Sequence, residues 1–323
     1  MYLLELVGED DAFARAEAAS ACSDVRSLAP ALATARGCAD RVASLAYTRR
    51  VCDLVGTTDA SVESARALLD AAGIDREGTV AVRASALRGC EVDTRRAERE
   101  LGSVLVARGF AVDLDAPDHE LRAYFAGDTC ALGWLAVETP RDFSARRPTD
   151  RPFFQPGSMD PMFARALVNL AGARPGTRLL DPMCGTGGVL VEAGLVGADV
   201  LGLDAQAKMT RGARENLAHY LGADRARTLQ GDATHLPLRD DSVDAVVFDA
   251  PYGRQSKVVG GLDELVGEAL AEARRVAPRC VLVADRSWCE AAETAGWAVE
   301  ARFSRRVHRS LDRHVLVLSR DAP

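Results

Sequence analysis

The second half of the chain alternates short apolar runs with helical patterns, and this order restricts the fold more than any other feature of the sequence. Strands separated by helices form βαβ crossovers, which build a parallel, doubly wound sheet. The patterns predict strands at Arg178–Leu180, Val200–Leu203, Val243–Phe248 and Cys280–Ala284, and helices at 160–172, 187–196, 207–221 and 263–276. Two last runs, Trp297–Phe303 and His314–Leu318, alternate around a turn and predict an antiparallel pair at the sheet edge.

The first half has a less regular order of strands and helices, which is typical of an α+β domain. Its predicted helices are 10–21, 61–73 and 94–109, and its predicted strands are Tyr2–Leu6, Ala46–Val55, Thr79–Ala84, Ala111–Leu114, Leu121–Ala126 and Ala131–Val137. A segment rich in proline and arginine, from about 138 to 157, has no apolar periodicity and marks the domain boundary. We therefore predict an α+β domain followed by an α/β domain.

The composition is that of an ordinary folded protein, with 323 residues, 48% hydrophobic and 27% charged. No apolar stretch approaches the ~20 residues of a membrane-spanning helix. The N-terminus lacks the basic start of a signal peptide, so we expect a cytoplasmic protein. The eight cysteines include no Cys-x-x-Cys pair and no paired Cys/His spacing, so we expect mostly buried thiols and no metal site.

The formal net charge of −7 argues, when taken alone, against a nucleic-acid-binding protein. The charge is not evenly distributed, however. Residues 1–150 hold 18 arginines against 25 acids, whereas residues 151–323 hold 22 basic residues against 22 acids. The second domain is therefore not acidic overall, and the total charge does not exclude a polyanionic substrate.

A glycine-rich turn follows the first strand of the predicted parallel sheet. The segment Asp181–Gly188 reads Asp-Pro-Met-Cys-Gly-Thr-Gly-Gly and breaks an apolar strand into the start of a helix. Glycines allow a ligand to approach the backbone, and open α/β sheets bind ligands beyond the carboxyl ends of their strands. We select Asp181, Met183, Gly185 and Gly187 as candidate ligand-binding residues.

Acidic residues follow the next two apolar runs. Asp204 ends the run Val200–Leu203, where a carboxylate can accept hydrogen bonds from ribose hydroxyl groups. Asp232 and Ala233 follow a further short apolar run, where a carboxylate can meet an adenine amino group. Together with the glycine-rich turn, these residues indicate a nucleoside cofactor.

The most specific segment is Asp249-Ala250-Pro251-Tyr252, at the end of the strand Val243–Phe248. The Asp249 carboxylate and the Ala250 carbonyl can accept both N–H bonds of an exocyclic amine, and Tyr252 offers a stacking face. Proline holds the residue before it in an extended conformation. An amine bound in this way directs its lone pair toward an electrophile.

This order of motifs resembles class I S-adenosylmethionine-dependent methyltransferases that modify exocyclic amines through an (Asn/Asp)-Pro-Pro-Tyr motif. Arg151–Pro161 and Val307–Leu311, together with Arg313-His314, resemble the archaeal and eukaryotic tRNA guanosine-10 N2-methyltransferases more closely. In that family a THUMP domain precedes a Rossmann-like catalytic domain. The resemblance implies a ferredoxin-like subdomain at 1–44, a THUMP RNA-binding domain at 45–138, a linker at 139–157 and a methyltransferase domain at 158–323.

The resemblance also implies the reaction and its participants. S-adenosylmethionine would donate one or two methyl groups to N2 of guanosine 10 in tRNA, and the protein would act as a monomer without a metal. Asp249, Ala250, Pro251 and Tyr252 would be catalytic. Ala250 stands where the family usually has proline, and its carbonyl would preserve the contact to the amine. The target base would leave the stem and meet four candidate substrate-binding residues: Phe154, Arg254, His308 and Arg309.

Three alternatives remain at this point. The substrate could be guanine N2 of ribosomal RNA or adenine N6, because the amine-binding motif serves these amines as well. The chain could also be a tRNA-binding module without catalysis, against which the intact Asp249, Pro251 and Tyr252 argue. The chain could also be a dehydrogenase, because the glycine-rich turn and Asp204 alone would fit the cofactor NAD.

Overall fold

The computed structural model describes residues 1–251, 261–308 and 311–321, with no side chains described for 307, 308 and 311. The chain forms two compact units, Met1–Pro140 and Arg141–Pro323. Residues 141–157, predicted as part of a linker, belong to the second unit. Residues 1–44 and 45–138, predicted as separate subdomains, both contribute strands to one sheet in the first unit.

The first unit contains α1 (Asp11–Ala19), α2 (Val62–Ala71), α3 (Thr94–Ala107) and ten described strands: β1 (Tyr2–Leu6), β2 (Cys22–Ser23), β3 (Arg26–Ala29), β4 (Leu32–Ala35), β5 (Gly37–Cys38), β6 (Thr48–Asp59), β7 (Thr79–Ala86), β8 (Ala111–Val112), β9 (His119–Ala126) and β10 (Thr129–Glu138). Eight of these form a sheet in the order β3-β4-β1-β6-β10-β9-β7-β8, and β2 pairs with β5. Strand β7 runs parallel to β8 and β9, and the other pairs are antiparallel. An apolar core packs α2 and α3 against the sheet.

The second unit contains five described helices, α4 (Pro161–Leu170), α5 (Gly188–Leu195), α6 (Ala207–Leu221), α7 (Leu262–Val276) and α8 (Cys289–Thr294). Its described strands are β11 (Arg178–Asp181), β12 (Asp199–Asp204), β13 (Thr228–Gln230), β14 (Ala245–Asp249), β15 (Arg279–Ala284), β16 (Ala298–His308) and β17 (Leu311–Ser319). The strand order is β13-β12-β11-β14-β15-β17-β16. Strands β11 to β15 are parallel, and β17 runs antiparallel to both β15 and β16.

The two architectures confirm the predicted fold class, an α+β unit followed by a doubly wound α/β unit. The predicted antiparallel pair at the sheet edge is also present, as β16 and β17. Short segments that the pattern did not predict include β2, β5 and α8, because two to six residues carry too little periodicity to be recognised.

Side-chain caps fix where several helices begin. Asp10, Ser61, Asp93 and Asp160 each accept a hydrogen bond from the backbone N–H three residues later, at the start of α1, α2, α3 and α4. Each bond satisfies one of the donors that a helix N-terminus leaves without a partner within the helix. In α4, Pro161 occupies the first turn, where its missing N–H costs nothing.

Candidate active site

Three aspartates end three adjacent parallel strands of the second unit. Asp181 is the last residue of β11, Asp204 of β12 and Asp249 of β14, and β11 lies between the other two strands. The chain reverses its direction of winding between β11 and β14, and such a point opens a crevice beyond the strand ends. The fold thus brings together the carboxylates that the sequence pattern selected one at a time.

Asp181 fixes the start of the glycine-rich turn through a hydrogen bond. Its side chain is buried, and Oδ1 accepts a hydrogen bond from the Met183 backbone N–H at 3.0 Å. Burial raises the pKa of the Asp181 carboxyl well above its usual range, and the nearby charges of Asp204 and Asp249 raise it further. Asp181 is thus a buried carboxyl on the strand between those of Asp204 and Asp249.

The glycine-rich turn leaves backbone accessible above β11. Gly185 and Gly187 have φ values of +51° and +77°, a conformation that side chains rarely adopt. A Cβ atom on Gly185 would meet no heavy atom within 4 Å, so open space lies over this residue. Helix α5 then begins without a side-chain cap, and the partial positive charge at its N-terminus faces the same turn. The turn therefore fits a ligand that approaches the backbone closely.

Asp204 is oriented by two backbone donors. Its Oδ2 accepts from the Gly185 N–H at 3.0 Å, and its Oδ1 accepts from the Gln206 N–H at 2.9 Å. A carboxylate oxygen has two lone pairs, so each oxygen can accept a further hydrogen bond. The half-buried Asp204 side chain is thus a fixed acceptor pair that fits two vicinal hydroxyl groups of a ribose.

Asp232 and Ala233 directly follow β13 and the glycine after it. Asp232 is exposed, and its Oδ1 accepts from the Thr234 N–H at 2.9 Å and from the Thr234 hydroxyl at 2.8 Å. These hydrogen bonds lower the pKa of Asp232, so it is an ionised acceptor at neutral pH. Ala233 is buried and belongs to the main apolar core of the unit.

The amine-binding segment continues directly from β14. Asp249 is partly exposed, with 22% of its side chain accessible. Ala250 is buried, and its N–H donates to the Val283 carbonyl of β15 at 2.8 Å. A proline at position 250 could not make this bond. Pro251 is half-buried, and the predicted catalytic Tyr252 lies outside the described residues.

The predicted substrate-binding residues are described only in part. Phe154 is 41% exposed, which suits a ring that stacks on a ligand. Arg254 and Arg309 lie outside the described residues, and the structure gives the backbone of His308 without its side chain.

Asn216 is a structural residue of this site that the sequence pattern did not reveal. Its Oδ1 accepts from the Phe153 N–H at 2.9 Å, and its Nδ2 donates to the carbonyls of Phe153 and Thr186. The Ser158 and Thr186 hydroxyls also lie within hydrogen-bonding distance, at 3.1 Å. The segment before α4 is thereby fixed to the glycine-rich turn. These contacts join residues far apart in sequence, so no local signal could have predicted them.

Two arginines of the segment that was predicted as a linker are buried. Arg146 and Arg151 are 6% and 5% exposed. Arg146 Nε donates to Glu192 Oε1 at 2.8 Å, and Arg165 Nη2 lies 2.7 Å from Glu192 Oε2. Arg151 donates from Nε to the Arg146 carbonyl. The arginine-rich segment thus contributes to an ionic cluster around Glu192 of α5, and its burial leaves Arg146 and Arg151 little surface for a contact with RNA phosphates.

Several arginines of the first unit are also paired with acidic side chains. Arg83 contacts Glu120 and donates to the Leu114 carbonyl, Arg88 pairs with Asp11, and Arg96 pairs with Glu63 and Glu100. The acidic partners offset the positive charge of these arginines.

The cysteines do not add a chemical group to the site. All eight are free, and five of them are buried. Burial raises the pKa of the Cys184 thiol well above its usual range, which keeps it protonated beside the turn. Within the described residues, no group of three or more His, Cys, Asp or Glu side chains could hold a metal ion, and no helix is long and apolar enough to cross a membrane.

Comparison with known proteins identifies the class of protein to which this site belongs. Residues 148–314 match the family described as UPF0020, RMKL-like, methyltransferase domain. The chain belongs to this family of methyltransferases. It is therefore an enzyme that transfers methyl groups.

Two relatives have substrate-specific names. The tRNA (guanine(10)-N2)-dimethyltransferase of Methanothermobacter thermautotrophicus is 38% identical over 85% of this chain and 83% of that protein. The protein of the same name from Pyrococcus abyssi is 33% identical over 75% of this chain and 74% of that protein. A solved structure, SMU.472, described as a candidate methyltransferase complexed with SAH, shares the fold with a TM-score of 0.51 and 13% identity over 100% of this chain and 98% of that one.

Proposed function

We propose that this enzyme transfers methyl groups from S-adenosylmethionine to N2 of guanosine at position 10 of tRNA, and that it adds two. The observation that carries the proposal is the placement of Asp181, Asp204 and Asp249 at the ends of three adjacent strands, with the amine-binding segment continuing from the third. The names of the two relatives, both dimethyltransferases, support the position and the product.

The cofactor residues have separate tasks in this proposal. The methionine part of S-adenosylmethionine would lie over the turn at Met183, Gly185 and Gly187, where the backbone is accessible. The hydrogen bond from the Met183 N–H to Asp181 would keep that turn in place. Asp204 would accept from the ribose hydroxyls, and Asp232 and Ala233 would flank the adenine. When bound, S-adenosylmethionine supplies an electrophilic methyl group on a positively charged sulfur.

The chain's own residues orient the amine. Before the first transfer, the Asp249 carboxylate and the Ala250 carbonyl each accept one N–H of the guanine N2 group, so its lone pair points away from them. The monomethylated amine keeps one N–H, which either acceptor can bind. As the nitrogen bonds to the methyl carbon, the bond between that carbon and the donor's sulfur would break, and its electron pair would stay on sulfur. The nitrogen becomes positive, and the Asp249 charge stabilises it and can take the proton that leaves. The Ala250–Val283 hydrogen bond keeps the carbonyl in place during this step. Alignment of this kind lowers the barrier without a covalent enzyme intermediate.

The substrate base has to leave its stem to reach this crevice, which costs a few kcal/mol. The exposed Phe154 ring would stack on the flipped base, together with Tyr252. Arg254, His308 and Arg309 would contact the RNA. The first unit would act as the THUMP-type tRNA-binding part. We further infer that the enzyme acts as a monomer in the cytoplasm, a location that fits the modification of tRNA.

The test is methyl transfer to two tRNA transcripts that differ only at residue 10. One carries guanosine there, and the other carries inosine, which lacks the N2 amine. We expect label from S-adenosylmethionine in the guanosine transcript, first as monomethyl- and then as dimethylguanosine, and none in the inosine transcript. Equal labelling of both transcripts would refute the proposal and direct attention to another amine, and labelling of neither while tRNA still binds would indicate a tRNA-binding module.

A further inference from the structure

Arg313 lies at the same edge of the sheet as the catalytic segment. It is near the beginning of β17, which runs antiparallel to β15. The last paired residues of these strands are Ala284, at the carboxyl end of β15, and His314. Arg313 therefore stands one residue beyond the carboxyl edge, on the side where the three aspartates end their strands.

The Arg313 side chain is held close to the amine acceptor. Its Nη2 lies 4.0 Å from Asp249 Oδ2, and the residue is only 8% exposed. Its guanidinium lies 6.0 Å from the ring centre of the buried Phe163 of α4. Arg305, which faces Arg313 across β16 and β17, contacts the same ring at 5.1 Å. Packing on an aromatic face restricts the guanidinium to few orientations.

This position does not suit a contact with the RNA backbone. Phosphates bind at accessible cations, whereas Arg313 is enclosed beside Asp249. A guanidinium carries five donors and no acceptor, and it keeps its charge at any relevant pH. Next to the Asp249 acceptor, it therefore presents hydrogen-bond donors toward whatever planar group Asp249 holds.

Guanine matches such an adjacent acceptor and donor. Its N2 amine donates hydrogen bonds, and O6, at the other end of the same Watson–Crick edge, accepts them. We propose that Arg313 is a specificity-determining residue that donates a hydrogen bond to O6 of the guanine whose N2 is methylated. The proposal rests on the function proposed above. It assigns Asp249 to the reacting amine and Arg313 to recognition of the base.

The test compares guanosine with 2-aminopurine at position 10 of the same transcript. 2-Aminopurine keeps the reactive amine but has no O6. A hydrogen bond between a neutral and a charged group changes rates on the order of 10- to 100-fold. We expect Arg313→Met to lower kcat/KM for guanosine by that factor, while kcat/KM for 2-aminopurine stays within about 3-fold of the wild-type value. The wild-type preference for guanosine would largely disappear.

Two further variants complete the design. Arg313→Lys keeps the charge with a different donor geometry, and we expect it to retain part of the preference for guanosine. If Arg313→Met does not fold, Arg313→Lys takes its place in the comparison. Arg302→Met is the matched control, an exposed arginine on the same strand pair in register with Leu316, and we expect unchanged kinetics.

The possible results separate the two proposals. If Arg313→Met lowers kcat/KM for both bases by the same factor, Arg313 only supports the structure around Asp249 and the recognition of O6 is refuted. An unchanged preference for guanosine would refute it as well. If the wild-type enzyme methylates neither base, the proposed function itself fails, whatever the variants do.

Discussion

Replacing Glu192 with glutamine tests whether the buried ionic cluster holds the second unit together. Glu192 is fully buried on α5, with Arg146 Nε 2.8 Å from Oε1 and Arg165 Nη2 2.7 Å from Oε2. Glutamine has nearly the same volume, but it removes the negative charge and directs an N–H group toward a guanidinium. Two buried arginines would then lose their common counter-charge.

The structure allows the magnitude to be worked out. Removing one partner of a buried ion pair costs about 3 to 5 kcal/mol, since the other charge stays buried without compensation. For a domain of about 150 to 250 residues, 1 kcal/mol lowers the melting temperature by about 2 to 4 °C. We therefore expect Glu192→Gln to lower the melting temperature of the unit Arg141–Pro323 by roughly 6 to 20 °C.

Scanning calorimetry of the full chain measures this shift, with Asp142→Asn as the matched control. Asp142 also pairs with Arg146, at 2.7 Å, but 61% of its side chain is exposed. Such pairs contribute at most about 1 kcal/mol, so we expect the control to shift the transition by about 4 °C or less. If the free energy of unfolding of both variants lies within about 1 kcal/mol of the wild-type value, the cluster does not stabilise the unit by the amount that its burial implies.

Four further predictions follow from the site and the core. Asp249→Ala should abolish methyl transfer and leave the affinity for tRNA within about 3-fold in filter binding, since one carboxylate contributes little to an affinity dominated by phosphate contacts. Loss of both methyl transfer and tRNA binding would place Asp249 in RNA binding instead. Gly185→Ala should lower the free energy of unfolding by about 1 kcal/mol, because residue 185 has a φ of +51°. It should also lower the affinity for S-adenosylmethionine at least 10-fold in calorimetric titration, because the new methyl group would occupy the space over the turn; unchanged affinity would refute that placement of the cofactor. The folded-state pKa of Asp181 is raised, so its burial destabilises the fold increasingly as pH rises from the unfolded-state pKa toward the folded one. Asp181→Asn should therefore gain stability relative to wild type as pH rises above the unfolded-state pKa, measured by urea unfolding at a series of pH values; a gain toward acid pH would contradict this sign. Cys22 and Cys38 face each other across β2 and β5, so the thiol oxidant diamide should link them in a disulfide. Peptide mass mapping should detect this disulfide in the wild-type protein and not in Cys22→Ser; a disulfide from Cys22 or Cys38 to another cysteine would contradict the register of β2 and β5.

The sequence predicted the parts of the fold and site that depend on local pattern. The alternation of apolar runs predicted strands β11, β12, β14 and β15, and the residues that end three of them are the aspartates of the site. A strand end followed by a polar residue is visible in the sequence itself. The glycines at 185 and 187 were also recognisable, because they occupy a turn that requires positive φ.

Contacts between distant segments could not be predicted in this way. Glu192 stands in an apolar helix, and only the fold shows that Arg146 and Arg165 meet it there. The arginine-rich segment before α4 looked like an exposed linker, since its composition has no periodicity, yet part of it is buried. The position of Arg313 beside Asp249, 64 residues away in sequence (313 − 249), depends on the register of β17 against β15.

Mapping of the methylated residue tests the central claim most directly. An unmodified tRNA transcript would be incubated with the enzyme and S-adenosylmethionine, cleaved at guanosines and analysed by fragment mass. The account predicts that wild-type enzyme adds 14 or 28 mass units (roughly one or two CH₂ equivalents) only to the fragment containing guanosine 10, and that Asp249→Ala adds none. Added mass on any other fragment, or on the same fragment with Asp249→Ala, would contradict it.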